Sequence, residues 1–317
     1  MRVLITGGAG FIGSNLVKFL LGQENVDEVR VMDNLATGYR KNLAEFETNP
    51  KFRFLNGDIR LAKDCEEAVK GVTHISHQAA LGSVPRSIED PFTSHDVNVN
   101  GFIKILEAAR KEGIQTIAYA SSSAVYGDSE LSPKKEEVTG KLLSPYAATK
   151  MANELYAEVY SKNYNMTLTG FRYFNVFGPK QDPTGAYAAV IPIFISHALK
   201  GQAPIINGDG TITRDFTPVS NVVLANWLAL TKNCSEGHYV YNVACGDSTS
   251  LLNLWELISE IVGSPRENVI FGPVRKGDIL FSLADIKAIK EDLGYEEDSD
   301  LKNALKSAVD YYKQSIQ

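Results

Sequence analysis

A chain of 317 residues, 44% hydrophobic and 22% charged, is long enough to bury a sizeable core in one large or two small domains. Its formal charge of −6 gives no general attraction to nucleic acid or anionic membrane, and no apolar run approaches the length of a membrane span. Three cysteines (Cys65, Cys234, Cys245), odd in number and far apart, indicate neither a disulfide framework nor a zinc ribbon. With no apolar leader ahead of the first strand pattern, the expectation is a soluble, cytoplasmic protein with reduced thiols.

The chain opens on a β-prone run, Arg2-Val3-Leu4-Ile5, and goes straight into Thr6-Gly7-Gly8-Ala9-Gly10-Phe11-Ile12-Gly13-Ser14. From Phe11 to Leu21, apolar residues at 12, 16, 19 and 20 have helical spacing. A strand, a glycine turn and a helix form the context in which G-x-G-x-x-G signals a dinucleotide. Glycine permits the tight turn and lets a pyrophosphate approach the backbone, while the helix N-terminus offers free N–H groups and a positive dipole end. The next strand, Glu28-Val29-Arg30-Val31-Met32, ends in Asp33, twenty residues beyond Gly13, where a carboxylate accepts from an adenosine ribose. Asn34 follows rather than Arg or Lys, and an acid at 33 repels a 2′-phosphate, so the pattern favours NAD over NADP.

Strand and helix patterns then alternate. Strands are expected at Lys51–Leu55, Val72–His77, Gln115–Ala120 and Thr167–Phe171, and helices at Asp64–Val69, Phe92–Lys111 and Ser144–Asn163. Repeated β-α units demand a parallel sheet with helices on both faces and ligands beyond its carboxyl edge. The second half is more mixed, with helices near Val190–Lys200, Val219–Leu230, Leu252–Val262 and Leu301–Tyr312, and short strands near Ile205-Ile206 and Tyr239–Val243. Asn207-Gly208-Asp209-Gly210 has the dipeptides of a tight hairpin. The fold class is α/β: a doubly wound parallel sheet over residues 1–170, rejoined around 215–245. A smaller interleaved α/β unit is expected from 171–214 and 246–317.

The second chemical signal is Ser144-Pro145-Tyr146-Ala147-Ala148-Thr149-Lys150. Ser144 suits an N-cap and Pro145 a first helical residue, which puts Tyr146 and Lys150 four apart on one helix face. A nearby ammonium, the helix N-terminus and an oxidised nicotinamide all favour the phenolate, so Tyr146 is a candidate general base. Ser121-Ser122-Ser123 closes a preceding strand and supplies hydroxyls at the same edge. The five histidines show no metal-ligand spacing.

The chain resembles the extended short-chain dehydrogenase/reductases, and within them the nucleotide-sugar 4-epimerases, the likeness being closest to bacterial UDP-N-acetylglucosamine 4-epimerases. The resemblance covers nearly the whole chain. It rests on Thr6–Ser14, Asp33-Asn34-Leu35, Gly57-Asp58-Ile59, His77-Gln78-Ala79-Ala80, Asn98, Ser121–Gly127, Tyr146/Lys150, Arg172–Pro179 and Arg275-Lys276-Gly277-Asp278. The blocks Leu81–Ser87 and Gly185–Pro192 are similar to the N-acetylglucosamine branch. The likeness implies that NAD is held by Gly7, Gly10, Phe11, Ile12, Gly13, Asp33, Asn34, Gly38, Asp58, Ile59, Gln78, Ala79, Ala80, Asn98, Tyr146, Lys150 and Tyr173. It implies that Tyr146 takes the proton of a sugar 4-hydroxyl while hydride moves to NAD. The 4-keto sugar then turns over and takes the hydride back on its other face. Ser122 or Ser123 bridges sugar and Tyr146, and Lys150 holds the nicotinamide ribose.

For a UDP-sugar, the resemblance assigns Asn175, Arg214 and Arg275 to the diphosphate, and Ala189, Val190, Ile191 and Asp278 to the uridine. Gly82, Ser83, Ala189 and Ser282 are expected to leave room for a 2-acetamido group; similar enzymes confined to UDP-glucose and UDP-galactose carry a bulky tyrosine where Ser282 stands. Related 4,6-dehydratases and UDP-glucuronate decarboxylases place an acid after the serine, whereas this chain has Ser123-Ala124-Val125. Epimerisation of UDP-GlcNAc/UDP-GalNAc, with UDP-Glc/UDP-Gal as a further pair, is therefore the favoured expectation. Its rivals are UDP-glucuronate 4-epimerisation, another nucleotide-sugar oxidoreductase, and a dinucleotide-sensing interaction module. A homodimer built from the helices near 92–111 and 144–163 is also implied.

Overall fold

The computed structural model describes residues 1–317 apart from 184–187, 233, 267–268, 274–280 and 317. Val3, Leu4 and Ile5 are all fully buried, which is how a strand reads when both its faces are covered. This strand, β1 (Arg2–Thr6), is followed by α1 (Phe11–Leu21), β2 (Glu28–Asp33), β3 (Phe52–Asn56), α2 (Ala62–Val69) and β4 (His74–His77). Next come α3 (Val84–Glu89), α4 (Pro91–His95), α5 (Gly101–Glu112), β5 (Thr116–Ser122), α6 (Pro145–Tyr164) and β6 (Thr167–Tyr173). The second half consists of shorter pieces: β7 (Val176–Phe177), α7 (Val190–Leu199), β8 (Ile205–Asn207), β9 (Thr213–Arg214), β10 (Thr217–Pro218), α8 (Val219–Thr231) and β11 (Gly237–Val243). It ends with β12 (Thr249–Ser250), α9 (Leu251–Val262), β13 (Ile270–Gly272), β14 (Phe281–Ser282), α10 (Lys287–Leu293) and α11 (Leu301–Ile316).

The main sheet has seven parallel strands in the order β11-β6-β5-β4-β1-β2-β3. The chain runs outward from β1 through β2 in one direction and through β4 in the other. The reversal leaves a crevice beyond the carboxyl ends of β1 and β4, the ordinary ligand position in such sheets. Apolar clusters cover both faces: α1, α8 and α10 pack on one, α2, α5 and α6 on the other. A separate core around Phe194, Trp255, Ile258 and Val309 joins α7, α9 and α11.

Several elements differ from expectation. The helix expected from Phe92 to Lys111 is interrupted by a π turn at Asp96–Asn100, because Asn98 is turned inward. Its amide donates to the Leu81 carbonyl (3.2 Å) and the Thr149 hydroxyl (3.1 Å), and its oxygen accepts the Leu81 N–H (2.8 Å). The Asn207–Gly210 turn does not close a hairpin: β8 pairs in parallel with β13, while β9 pairs with β12 and β14. Turn dipeptides fix local backbone, but the partner of each strand is a tertiary choice. β5 runs past Ala120 to take in Ser121 and Ser122, opposite Arg172 and Tyr173 of β6.

Candidate active site

The crevice is a cavity of about 490 Å³. Gly7, Gly10, Phe11, Ile12 and Gly13 form part of its wall, with Asp33, Asn34, Gly38, Asp58, Ile59, Gln78, Ala79 and Ala80. The glycines are required by close approach. A Cβ on Gly13 would lie 2.3 Å from the Gly7 carbonyl oxygen, and one on Gly7, already at φ +71°, would lie 2.7 Å from the Ala79 nitrogen. α1 starts at Gly10 with no side-chain cap and no acid in its first turn, so its leading N–H groups face the cavity without a competing anion.

At the end of β2, the Asp33 carboxylate accepts the Ala9 N–H (2.9 Å) and the Leu35 N–H (2.8 Å). Burial pushes its pKa up, against the pull of those two donors. Each carboxylate oxygen keeps a lone pair for a ribose hydroxyl. Asp58 accepts from Asn34 (3.0 Å) and from Arg60 (2.7 Å), and the Arg60 guanidinium holds its carboxyl down at about 2. An uncapped helix end, a glycine cradle and a ribose-facing carboxylate together fit NAD. Arg86, from the Leu81–Ser87 block, also lines the cavity, as do Arg60, Thr93 and Val97, to which the sequence assigns no role. Arg60 stands two residues past Asp58; Thr93 and Val97 carry no local signal.

Of the remaining residues expected at the cofactor, Tyr173 and Gln78 belong to one buried polar network. The Tyr173 hydroxyl donates to Gln78 Oε1 (3.2 Å) and accepts from Asn226 (2.8 Å), while Gln78 Nε2 donates to Asn226 Oδ1 (3.0 Å) and Ser76 Oγ (2.9 Å). Asn226, fully buried on α8, had no signal in the sequence beyond its place on a helix.

Tyr146 and Lys150 lie on the first turns of α6, which is capped by Ser144 accepting the Ala147 N–H (3.1 Å). Burial raises the Tyr146 pKa, and the nearby Ser122 hydroxyl draws it partly back. The Lys150 ammonium donates to the Ala120 carbonyl (2.8 Å) and lies 5.9 Å from the Tyr146 ring centre. Burial pushes it down to about 8. Of the two serine candidates, Ser122 is the one that acts on the Tyr146 hydroxyl, whereas Ser123 begins a short 3-10 turn whose Ala124 N–H Ser122 caps (3.2 Å).

The substrate-side residues are less gathered. Gly82 lines the cavity, and a Cβ there would meet nothing within 4 Å. Ser83 spends its hydroxyl capping α3, accepting the Arg86 N–H (3.2 Å). Asn175 sits at φ +32° and donates to the Asp215 carbonyl (3.0 Å). Ala189 is the N-cap position of α7 and Val190 its first residue. The Ile191 side chain is buried in the third core, so any part it has toward a ligand falls to its main chain. Arg214 and Ser282 are register partners on β9 and β14. Arg275 and Asp278, with Gly185–Tyr187, lie outside the described residues.

A family model for the NAD dependent epimerase/dehydratase family matches residues 3–244. The chain is 42% identical over 315 residues to a putative UDP-glucose 4-epimerase of Methanocaldococcus jannaschii, covering 98% of each. It also matches the structure of UDP-N-acetylglucosamine 4-epimerase from Methanobrevibacter ruminantium in complex with UDP-N-acetylmuramic acid (TM-score 0.93, 36% identity, 99% of this chain and 98% of that one). A UDP-glucose 4-epimerase from Thermotoga maritima with UDP-glucose is similar over 100% of both chains (TM-score 0.92, 34% identity). The chain is an enzyme that uses NAD, and it belongs to the NAD dependent epimerase/dehydratase family.

Proposed function

We propose that this enzyme inverts carbon 4 of a UDP-hexose, with UDP-GlcNAc and UDP-GalNAc as the principal pair and UDP-Glc/UDP-Gal as further substrates. The observation that carries the reading is the placing of Tyr146 and the buried Lys150 ammonium on the first turns of α6, with Lys150 bonded to the Ala120 carbonyl and Ser122 at the carboxyl end of the same strand. NAD, when bound, supplies a reversible two-electron oxidation and a positive ring. Tyr146 takes the proton of the sugar 4-hydroxyl and returns it at the end of the cycle. Its phenol is raised by burial, so the Lys150 charge and the ring charge together make the phenolate accessible. Ser122, rather than Ser123, bridges the hydroxyl and Tyr146. With Ala124 where an acid would drive elimination, oxidation and return is favoured over dehydration.

Support for a 2-acetamido sugar comes from the small side chain at Ser282 and the open space beside Gly82. The M. ruminantium enzyme is a relative named for that sugar; the M. jannaschii and T. maritima relatives, named for UDP-glucose, motivate the second pair. Purified protein incubated with each UDP-sugar and no added cofactor, followed by NMR, is expected to interconvert UDP-GlcNAc and UDP-GalNAc without net NADH. Turnover of UDP-glucose with none of UDP-GlcNAc would remove the N-acetyl assignment.

The working unit is proposed to be a homodimer joined through α6 and the α3–α5 side. Leu155 and Val159, one turn apart on α6, are 59% and 53% exposed, and Phe92 on α4 is 84% exposed. Apolar side chains so placed mark an association surface. Leu155→Glu/Val159→Arg is expected to yield a monomer by analytical ultracentrifugation.

A further inference from the structure

One helix face carries a third titratable group that the proposed chemistry leaves unused. Tyr146, Lys150 and Glu154 follow one another at four-residue intervals on α6 and so share a face. Two of them grip consecutive residues at the end of β5: Lys150 donates to the Ala120 carbonyl and Glu154 accepts from the Ser121 hydroxyl (2.5 Å), with Tyr146 facing Ser122, the next in line. Glu154 is 6% exposed, and its carboxylate takes both Arg172 Nε (3.0 Å) and Nη2 (2.7 Å). Arg172, itself buried on β6, spends a further donor on the Glu136 carbonyl (2.8 Å) and lies 4.9 Å over the Tyr126 ring.

A buried ion pair is weak evidence of stabilisation, since desolvation consumes most of the Coulomb gain and an apolar pair often does as well. Its position is the informative part. Resting on the reading of Tyr146 and Lys150 above, we propose that Glu154, fastened by Arg172, is a positioning residue that locks β5 to α6 and keeps the Lys150 ammonium charged beside Tyr146. Four groups bear on Lys150: Tyr146 and Glu154 on its own helix, His77 from β4 and Arg172 from β6. His77 is driven down to about 3 by burial and then by Lys150, so it is neutral and offers no counter-charge. Glu154 is the group that pulls Lys150 upward against burial. Arg172 works on Lys150 indirectly, by fixing the carboxylate.

The sign follows. Removing the Glu154 charge lowers the Lys150 pKa, so the ammonium is lost at a lower pH and the alkaline limb of activity moves toward neutrality. The test uses the holoenzyme with its bound NAD and compares Glu154→Gln, Glu154→Asp and the double variant Glu154→Gln/Arg172→Met, which leaves no uncompensated buried cation if the single variant folds poorly. Two readouts are taken: the pH profile of UDP-sugar turnover, and the titration of Lys150 by 13Cε-lysine NMR, its signal identified by loss in Lys150→Met. The expected result is a downward shift of about one pH unit in both readouts for Glu154→Gln and the double variant. Glu154→Asp, which keeps the charge, is expected to hold the parent limb. A Lys150 titration unmoved in Glu154→Gln and in the double variant would overturn the proposal, whatever happens to the rate. The NMR arm needs no turnover, so a shifted titration in an enzyme inert toward UDP-sugars would sink the substrate reading and leave this one standing.

Discussion

The two sides of the active-site cleft are built by different means. On the cofactor side the wall is backbone: glycines pressed within contact of neighbouring chain, an uncapped helix end, and the carboxyl ends of adjacent parallel strands. The residues proposed for the substrate side are carried instead by strands two residues long, Arg214 on β9 and Ser282 on β14, and by the loop from Asn175 onward. The lesson is that a feature common to every nucleotide can be recognised by main chain, which mutation changes only through sterics. Selecting one sugar over another needs side-chain size and charge, on elements whose pairing is set at long range.

That contrast can be broken most forcefully at the chemistry itself. Tyr146→Phe removes the proton-transfer group of the proposed scheme; kcat is expected to fall by roughly 10³-fold. An unaltered kcat in a stopped assay would eliminate Tyr146 as the base. On the cofactor wall, Gly13→Ala forces a methyl to within 2.3 Å of the Gly7 carbonyl oxygen. Its cost is expected to be about 1–3 kcal/mol of stability, and the purified protein should lose its NAD absorbance. If Gly13→Ala binds NAD normally, the wall is more yielding than its spacing implies.

Where the two sides join, Asp215 is fully buried and accepts the N–H groups of Cys245 (3.0 Å), Gly246 (3.1 Å) and Ala284 (3.3 Å). Burial outweighs these donors and raises its pKa to about 6. A group raised in the folded state adds stability below its unfolded pKa and loses it as pH rises through the folded value. Its contribution, on the order of 2–3 kcal/mol, is therefore expected to be present near pH 4 and gone by pH 7. Urea midpoints of the parent and Asp215→Asn across that range should diverge; parallel curves would show that folding does not raise the Asp215 pKa. The smallest effect is expected on the substrate wall. Ser282→Tyr should depress kcat/KM for UDP-GlcNAc relative to UDP-Glc by about tenfold, and an unchanged ratio would mean that Ser282 does not border the acetamido group.

The same contrast marks how far the residues alone could be read. Local signals located the glycine turn, Asp33, the Ser144-Pro145 start of α6 and the Tyr146/Lys150 spacing, because each depends on a few neighbouring residues and a fixed helical or strand period. Parallel order followed as well, since alternating β-α units leave little choice of topology. Cross-chain pairings had no such signature. Nothing near Asn207–Gly210 says that β8 finds β13 sixty residues away, and nothing near Asn226 says that it holds Tyr173 and Gln78 together.

By itself the sequence determined that this protein builds a dinucleotide cradle with a tyrosine and a lysine one turn apart, for those demands are steric and local. Only the tertiary structure decided that burial works against the ionisation of that tyrosine, and that Glu154 and Arg172 stand behind Lys150. The physical reason is that burial and pairing are sums over groups distant in the chain, and no short stretch contains them.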